Sequence, residues 1–528
     1  MCPSFDSAQD DMLMYNDFPD MERVLPFLRQ TRVFVFACAI VVFAILVAFA
    51  PSLSHPFMSD DYHVLAALAN DPKGFAFFFT GNGNYLIPVT KLLWMTEYAL
   101  FGTQVFGYHL ISLLLHLTNT TLVVLFFSRF FKSRWMGLLS GAFFALSASH
   151  WRTTMWMSAQ MKMLAALFLL IALLSFWSYL RTGKWRFLAA IVFAQICMLF
   201  SSALGIELPL VLAVLFLFLN HTKQKRMRVS VKRVWWTIAS LIVPCMVYLV
   251  LQHIFYTNSN AYLLSSHGLL TGFFNLLRAV WWLLLGLFEG FGHAMTGFFI
   301  GANPSIFPLP ATPVPASVRV VPLELLLLLL LLPKRKEWWK YALLFTAWTM
   351  LLYAPPILPD LAQGYITDWF VTRARYFYVS AIPVAALLTV LFTQVRFTKR
   401  RPTLRITLYG VLALFGTFVL FSNLQRIMTN ESLASEYTNG FAMVRDAYVQ
   451  DLQTIVRTTW GTRVYTVRDV PMGQITGFDY AGHNVLPSHL ADVYLTPSER
   501  ATFRFLPEGV PADFGVTGEG KLWPPVGR

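Results

Sequence analysis

Charge is scarce in this sequence. Only 13% of its 528 residues are Asp, Glu, Lys or Arg, about half the share of an ordinary soluble chain. So few charges cannot clothe a soluble surface of this length. Acidic residues are the scarcer sign, 27 against 41 basic ones. Cysteine is nearly absent: Cys2, Cys38, Cys197 and Cys245 are all there are. Three of them lie inside apolar runs, and none stands at metal-ligand spacing from another. This excludes a disulfide framework and a cysteine-based zinc site. Cys2 has no signal-like apolar stretch behind it, so it is not read as a lipidation site. An internal repeat of the kind that builds transporters is also lacking.

What the sequence has is apolar length. Hydrophobic residues make up 56% of it and aromatics 16%. Runs long enough to span a bilayer as helices recur along the chain, with basic residues in the short loops between them. The net charge of +14 is therefore the positive-inside pattern, and no nucleic-acid partner is expected. The class is an all-α polytopic membrane protein, with membrane lipids as its surroundings.

The basic loops give the topology. Residues 1–32 form a cytoplasmic leader ending in Arg29 and Arg32. The first span is Val33–Ala50, uncleaved because Pro51 follows the would-be cut after Ala48-Phe49-Ala50. Residues 51–105 make the first extracytoplasmic loop. Spans follow at Tyr108–Phe127, Met136–Ser149, Met161–Tyr179, Phe187–Ser201, Ile206–Leu219 and Val234–Phe255. Residues 256–317 make a large extracytoplasmic loop with an interfacial or re-entrant element at Phe273–Phe299. The remaining spans are Val318–Leu332, Tyr341–Ala354, Tyr376–Phe392 and Ile406–Ser422, about eleven in all. Residues 33–422 thus form the transmembrane domain. Residues 423–528 form a small extracytoplasmic αβ appendage, with a helix at Glu431–Arg457, a strand at Arg463–Val467 and a loose end over 507–528. The Trp pairs 235–236, 281–282 and 338–339 are interfacial anchors.

One stretch of the first loop stands apart: His55-Pro56-Phe57-Met58-Ser59-Asp60-Asp61-Tyr62-His63. Two adjacent carboxylates lie where the membrane gives way to water, a depth at which charge is costly and marks a site or a cap. Asp60–Ala69 reads as a short interfacial helix with Ser59 or Asp60 as N-cap. Neighbours on a helix do not face the same way, so one Asp serves as a base while the other caps, orients a partner or holds a metal. The alternative is that Asp60 only caps the helix.

Further motifs form a pattern. Phe101-Gly102, Gly107-Tyr108-His109-Leu110 and Leu115-His116 occur in order. Phe144-Ala145-Leu146, His150, Trp156-Met157-Ser158-Ala159-Gln160 and Arg375-Tyr376-Phe377-Tyr378 follow. Together with the acidic pair after the first span, they resemble GT-C membrane glycosyltransferases, in particular the protein O-mannosyltransferase-like branch and its bacterial relatives. The matches cover about residues 55–380. The sequence departs from that branch where Ser147 and Ala148 replace its His and Pro. Arg152 stands at its Glu, Gln160 at its Arg, and Ile87-Pro88 at its Arg-Pro.

The resemblance implies a GT-C fold and an inverting transfer of a sugar from a polyprenyl-phosphate carrier to an acceptor hydroxyl on glycan, lipid or protein. It implies a bacterial inner (plasma) membrane, with the N-terminus cytoplasmic and the site outside. Asp60 and Asp61 become the catalytic candidates, Asp60 favoured as base. A divalent cation, if one is used, would sit at Asp60 or Asp61; no other cofactor is expected. Outward cations are uncommon and suit an anionic lipid phosphate, which makes Arg375, Arg152 and Lys162 substrate-binding candidates. Tyr376 joins them beside Arg375. His109 and His150 join them at outer helix ends; His116, deeper in its span, reads as an interior residue. Two rivals remain: another lipid-carrier enzyme, such as an oligosaccharide ligase or polymerase, and a lipid-linked glycan transporter or flippase.

Overall fold

The computed structural model describes residues 31–71, 77–78, 86–147, 150–221, 231–255, 338–362, 377–394, 402–458, 464–472, 485–508 and 510–523. The leader, the loop 256–317 and the span Val318–Leu332 lie outside the described residues, apart from Thr31 and Arg32.

The first helix, α1 (Thr31–Phe49), is apolar nearly throughout. Val35, Phe36, Ile40 and Phe43 are exposed, while Ile45, Ala48 and Phe49 at its far end are buried. Large apolar side chains facing outward reverse the soluble pattern; hydrocarbon solvates them instead. A 3₁₀ turn, Ala50–Ser54, leads to α2 (Asp60–Asn70), then α3 (Pro88–Phe101) and α4 (Val105–Phe130). On α4 the buried face carries His109, Ser112, His116 and Asn119, while Phe106, Leu114 and Leu125 are exposed. That polar stripe, repeating every three to four residues, directs α4 inward onto other helices.

Helix α5 (Arg134–Ala145) starts at Ser133, whose Oγ accepts from the Met136 N–H. It packs along α4 through Gly137 and Gly141, one turn apart. A Cβ at Gly137 would meet the Val124 carbonyl oxygen at 2.6 Å, so only glycine allows this approach. The span expected over Met136–Ser149 is shorter than that: the helix ends at Ala145, and a separate short helix, α6 (Trp151–Met155), follows. Next come α7 (Gln160–Thr182), α8 (Trp185–Ser202), α9 (Leu208–His221), α10 (Val231–Phe255), α11 (Trp338–Ala362) and α12 (Phe377–Gln394). Among the described residues, five helices are long and apolar enough to cross a membrane: Val33–Ser54, Val105–Phe130, Met157–Thr182, Trp185–Ser202 and Val231–Gln252. The chain is a multi-pass membrane protein.

The sequence suggested a span ending at Ser422 and a separate helix starting at Glu431. The structure has one helix there, α13 (Pro402–Thr458), 57 residues long. No Pro or Gly pair breaks the stretch, so the helix carries straight on into the C-terminal unit. In that unit β1 (Tyr465–Arg468) pairs in parallel with β2 (Phe503–Leu506), and α14 (Pro487–Tyr494) and α15 (Pro497–Arg500) lie between them in sequence. β3 (Gly515–Val516) and β4 (Leu522–Trp523) pair antiparallel. Residues 510–523, expected to be loose, therefore belong to the folded unit, where Phe514, Val516 and Leu522 pack against its core.

Buried residues fall into two main groups. One fills the bundle of α4, α5 and α7–α12 with Phe, Leu, Ala and Trp. The other joins the end of α1, the first loop, α6 and the Trp156–Ala159 stretch to α13 and the C-terminal unit. The acidic pair belongs to the second.

Candidate active site

The acidic pair begins α2 immediately after a strained residue. Ser59 has φ 48° and ψ −120°, a positive φ that side chains rarely adopt and that clusters at functional positions. Ser59 occupies the N-cap position, yet its side chain makes no capping bond. The Asp61 carboxylate reaches back instead: its Oδ2 accepts from the Met58 N–H at 3.2 Å, ahead of the helix. Oδ1 accepts from the Ser158 N–H at 3.0 Å and the Ser158 Oγ–H at 2.9 Å. Asp61 is wholly buried and ties α2 to the turn ahead of α7. Burial pushes its carboxyl up to about 7 against the pull of these three donors, and the neighbouring Asp60 adds a smaller push. Asp60 itself is half-buried.

That turn, Met157–Ala159, leads into Gln160, which sequence comparison set down only as a departure. The Gln160 carboxamide is fixed in orientation. Trp94 Nε1–H donates to its Oε1 at 3.1 Å. Its Nε2 donates to Glu97 Oε1 at 2.7 Å, Ser112 Oγ at 3.0 Å and the Tyr108 carbonyl at 3.1 Å. Trp94 only donates and a carbonyl only accepts, so the amide cannot flip. Glu97 is a second buried carboxyl of this region, missed from the sequence. A signal for it existed: on α3 the buried positions are Thr90, Lys91, Trp94 and Glu97, one helical face that is mostly polar, while Leu92 and Leu100 are exposed. Lys91 Nζ donates to the Phe77 carbonyl at 2.6 Å, and burial pushes the ammonium down to about 8.

The histidines divide into two sets. His109 Nε2 donates to the His55 carbonyl at 2.9 Å, joining α4 to the stretch before the acidic pair. Burial, then the nearby His109, pushes the His55 ring down to about 4, so it is neutral. His150 and His116 pack instead against Tyr378 on α12, with ring centroids 4.5 Å and 5.7 Å away. His116 Nε2 is 3.1 Å from the Ala145 carbonyl and donates to it, so its Nδ1 accepts from the Tyr378 O–H at 2.9 Å. Burial holds the His150 ring well below the usual histidine range.

The expected cations are scattered. Arg152 is buried, its guanidinium 4.9 Å over the Trp156 ring at the edge of the turn. Lys162 is buried and donates to Ser202 Oγ at 2.8 Å on α8. Arg375 and Tyr376 lie outside the described residues.

The C-terminal unit grips α2. Arg445 on α13 donates to Tyr62 Oη at 2.8 Å and lies 5.5 Å over the Tyr494 ring. Asn70 donates to Asp492 at 2.7 Å, accepts from Arg500 at 2.8 Å, and Arg500 pairs with Asp492. His63 Nδ1 faces His489 Nε2 at 3.5 Å. These partners are separated by hundreds of residues in sequence, and no local pattern announces them.

A divalent cation fits poorly at Asp61, whose oxygens are already turned towards three N–H and O–H donors. Among the described residues no group of three or more His, Cys, Asp or Glu side chains converges on a point that could hold a metal.

No family model matches the chain, and no curated protein matches it. Two solved structures align over most of its length. ArnT from Cupriavidus metallidurans bound to undecaprenyl phosphate is 14% identical with a TM-score of 0.38, covering 91% of this chain and 87% of that one. ArnT from the same organism in the apo state is 15% identical with a TM-score of 0.34, covering 86% and 84%. At these scores the likeness is loose.

Proposed function

We propose that this chain is an integral-membrane inverting glycosyltransferase of GT-C type. It would move a sugar from a polyprenyl-phosphate carrier to an acceptor hydroxyl at the extracytoplasmic face. The observation that carries the reading is the acidic pair itself. It starts a helix at a strained residue, with one carboxylate sealed into the protein and the other left half-buried beside it. A fully buried carboxylate holding three donors is a fixture. A neighbouring half-buried one, on a backbone so fixed, is suited to meet a substrate.

Asp60 is accordingly the base and Asp61 the group that holds it in place. Asp60 takes the proton of the acceptor hydroxyl as that oxygen attacks the anomeric carbon. The bond from that carbon to the phosphate oxygen breaks, its electron pair stays on the phosphate, and the proton ends on Asp60. Arg375 and Arg152 are the cations proposed to receive the phosphate, which gains charge as the bond breaks; Tyr376, His109, His150 and Lys162 are proposed to line the substrate's path. No step needs a metal.

The test is direct. Purified protein is incubated with a panel of polyprenyl-phosphate sugars and with candidate acceptors. Transfer by the wild type, lost in Asp60→Asn at matched thermal stability, supports the reading. Movement of a lipid-linked glycan across vesicles without transfer would replace it with a transporter. Orientation is tested by reporter fusions: cytoplasmic signals after Arg228 and Arg400, outside signals after Thr80 and Tyr465. A cytoplasmic signal after Tyr465 would overturn the proposed orientation.

A further inference from the structure

Glu97 has no role in the mechanism above, yet its surroundings are specific. It is 1% exposed on the inward face of α3. Oε1 takes the shortest of the Gln160 hydrogen bonds, at 2.7 Å. Oε2 has no hydrogen-bond partner among the described residues. Gln160 ends the same turn whose Ser158 grips Asp61. One turn of chain thus connects the two buried carboxyls, Asp61 through the backbone and hydroxyl of Ser158, Glu97 through the amide of Gln160.

We propose that Glu97 is a positioning residue for the acidic pair: it anchors Gln160, and through the Met157–Ala159 turn it fixes the Ser158 donors that hold Asp61. The proposal rests on reading Asp60 and Asp61 as the reaction centre. Two alternatives for Glu97 fit less well. An unpaired carboxylate at this depth would be costly, and Glu97 meets no cation in the contacts above. Burial, and then the charge of Asp61, lift its carboxyl well above the usual range, against the pull of Gln160. Glu97 is therefore a neutral acid whose carbonyl oxygen serves as an acceptor. That role has a sharp consequence: a glutamine at this position supplies the same acceptor with the same neutrality.

The experiment uses the full chain in detergent, with Glu97→Gln and Glu97→Leu. Amide hydrogen exchange at Ser158 reads the turn without reference to activity. Glu97→Leu should speed that exchange about tenfold, since a turn loosened at Gln160 opens the Ser158 N–H bond to Asp61 more often. With the polyprenyl-phosphate sugar selected by the panel, its kcat should fall about 10- to 100-fold, the scale of a misplacement near 1 Å, with KM for the donor nearly unchanged. Glu97→Gln should match the wild type in both readouts while losing one protonated-carboxyl band in the infrared. Should Glu97→Leu not fold, the glutamine variant still decides, because faster exchange or slower transfer in it would overturn the proposal. So would unchanged Ser158 exchange in a folded Glu97→Leu. If Asp60→Asn and Asp61→Asn both retain full transfer, it is the reading of the acidic pair as the reaction centre that fails, and the exchange result still shows whether Glu97 holds the turn.

Discussion

The two buried regions of this protein are built on different principles. In the bundle, Phe126, Phe127, Phe130, Phe345 and Trp348 stack edge-on and face-on with centroids 5.0–6.2 Å apart. Such packing needs volume and little direction, and many apolar sequences would supply it. At the end of the bundle, by contrast, a directional polar network is set into the apolar packing. Asp61, Ser158, Gln160, Glu97, His109 and His55 are buried polar groups joined across four segments of chain. Each bond there must be met by one partner at one distance, because a buried polar group without one is costly. The bundle gives the protein its place in the membrane. The polar end spends some of that stability on a strained helix start and two buried carboxyls, as functional sites do.

Four substitutions separate the two regions, in order of their expected effect on transfer. Asp60→Asn comes first. Loss of a positioned base lowers kcat by about 10²–10⁴, with little change in melting temperature; a wild-type rate would remove the reaction from this helix. Asp61→Asn is second. It trades one carboxylate oxygen for an amide nitrogen facing a donor, which costs about 1–3 kcal/mol of stability and about 10- to 100-fold in kcat through misplacement of Asp60.

The pH profile sharpens that second case. Asp61 ionises at about 7 when folded and at 3.8 ordinarily. Between those values the folded protein keeps a proton that the unfolded chain has lost. Stability from this group is therefore greatest below about pH 4 and declines as pH rises towards 7. The carboxylate that grips Ser158 forms over the last part of that range. Transfer should climb through pH 7 in the wild type, and Asp61→Asn should lose that step. A wild-type rate that is flat across about pH 6–8 would break the link between the buried carboxylate and catalysis.

Arg445→Ala is third. Removing its bond to Tyr62 loosens the grip of the C-terminal unit on α2 by about 1 kcal/mol, lowering transfer about fivefold; limited proteolysis of residues 464–523 should accelerate in parallel. Phe345→Ala is last and opposite in kind. It should cost about 3–5 kcal/mol of stability, the usual effect of an emptied aromatic position, and leave kcat per folded molecule unchanged. A large kcat effect from Phe345→Ala would mean that bundle packing and the polar end are not separable.

Sequence alone determined the elements whose causes are local. Apolar runs must become helices in a bilayer, because only a helix satisfies its own backbone there, and α1, α4, α7, α8 and α10 stand where those runs are. The start of α2 at the acidic pair was also legible, from its capping pattern, as was a small αβ unit in the C-terminal region. The tertiary structure alone decided which Asp is sealed in: both are identical in sequence terms, and only the meeting of α2 with Ser158 separates them. It also decided that α13 runs unbroken through the expected boundary at 422, and that Arg445, Asp492 and Arg500 reach back to Tyr62 and Asn70. It turned Glu97 inward, at a position of the first extracytoplasmic loop that the sequence did not single out. Hydrophobic periodicity reports which way a residue faces, averaged over a helix. A hydrogen bond between residues 63, 97 or 383 positions apart has no period, and it exists only once the fold has brought its two ends together.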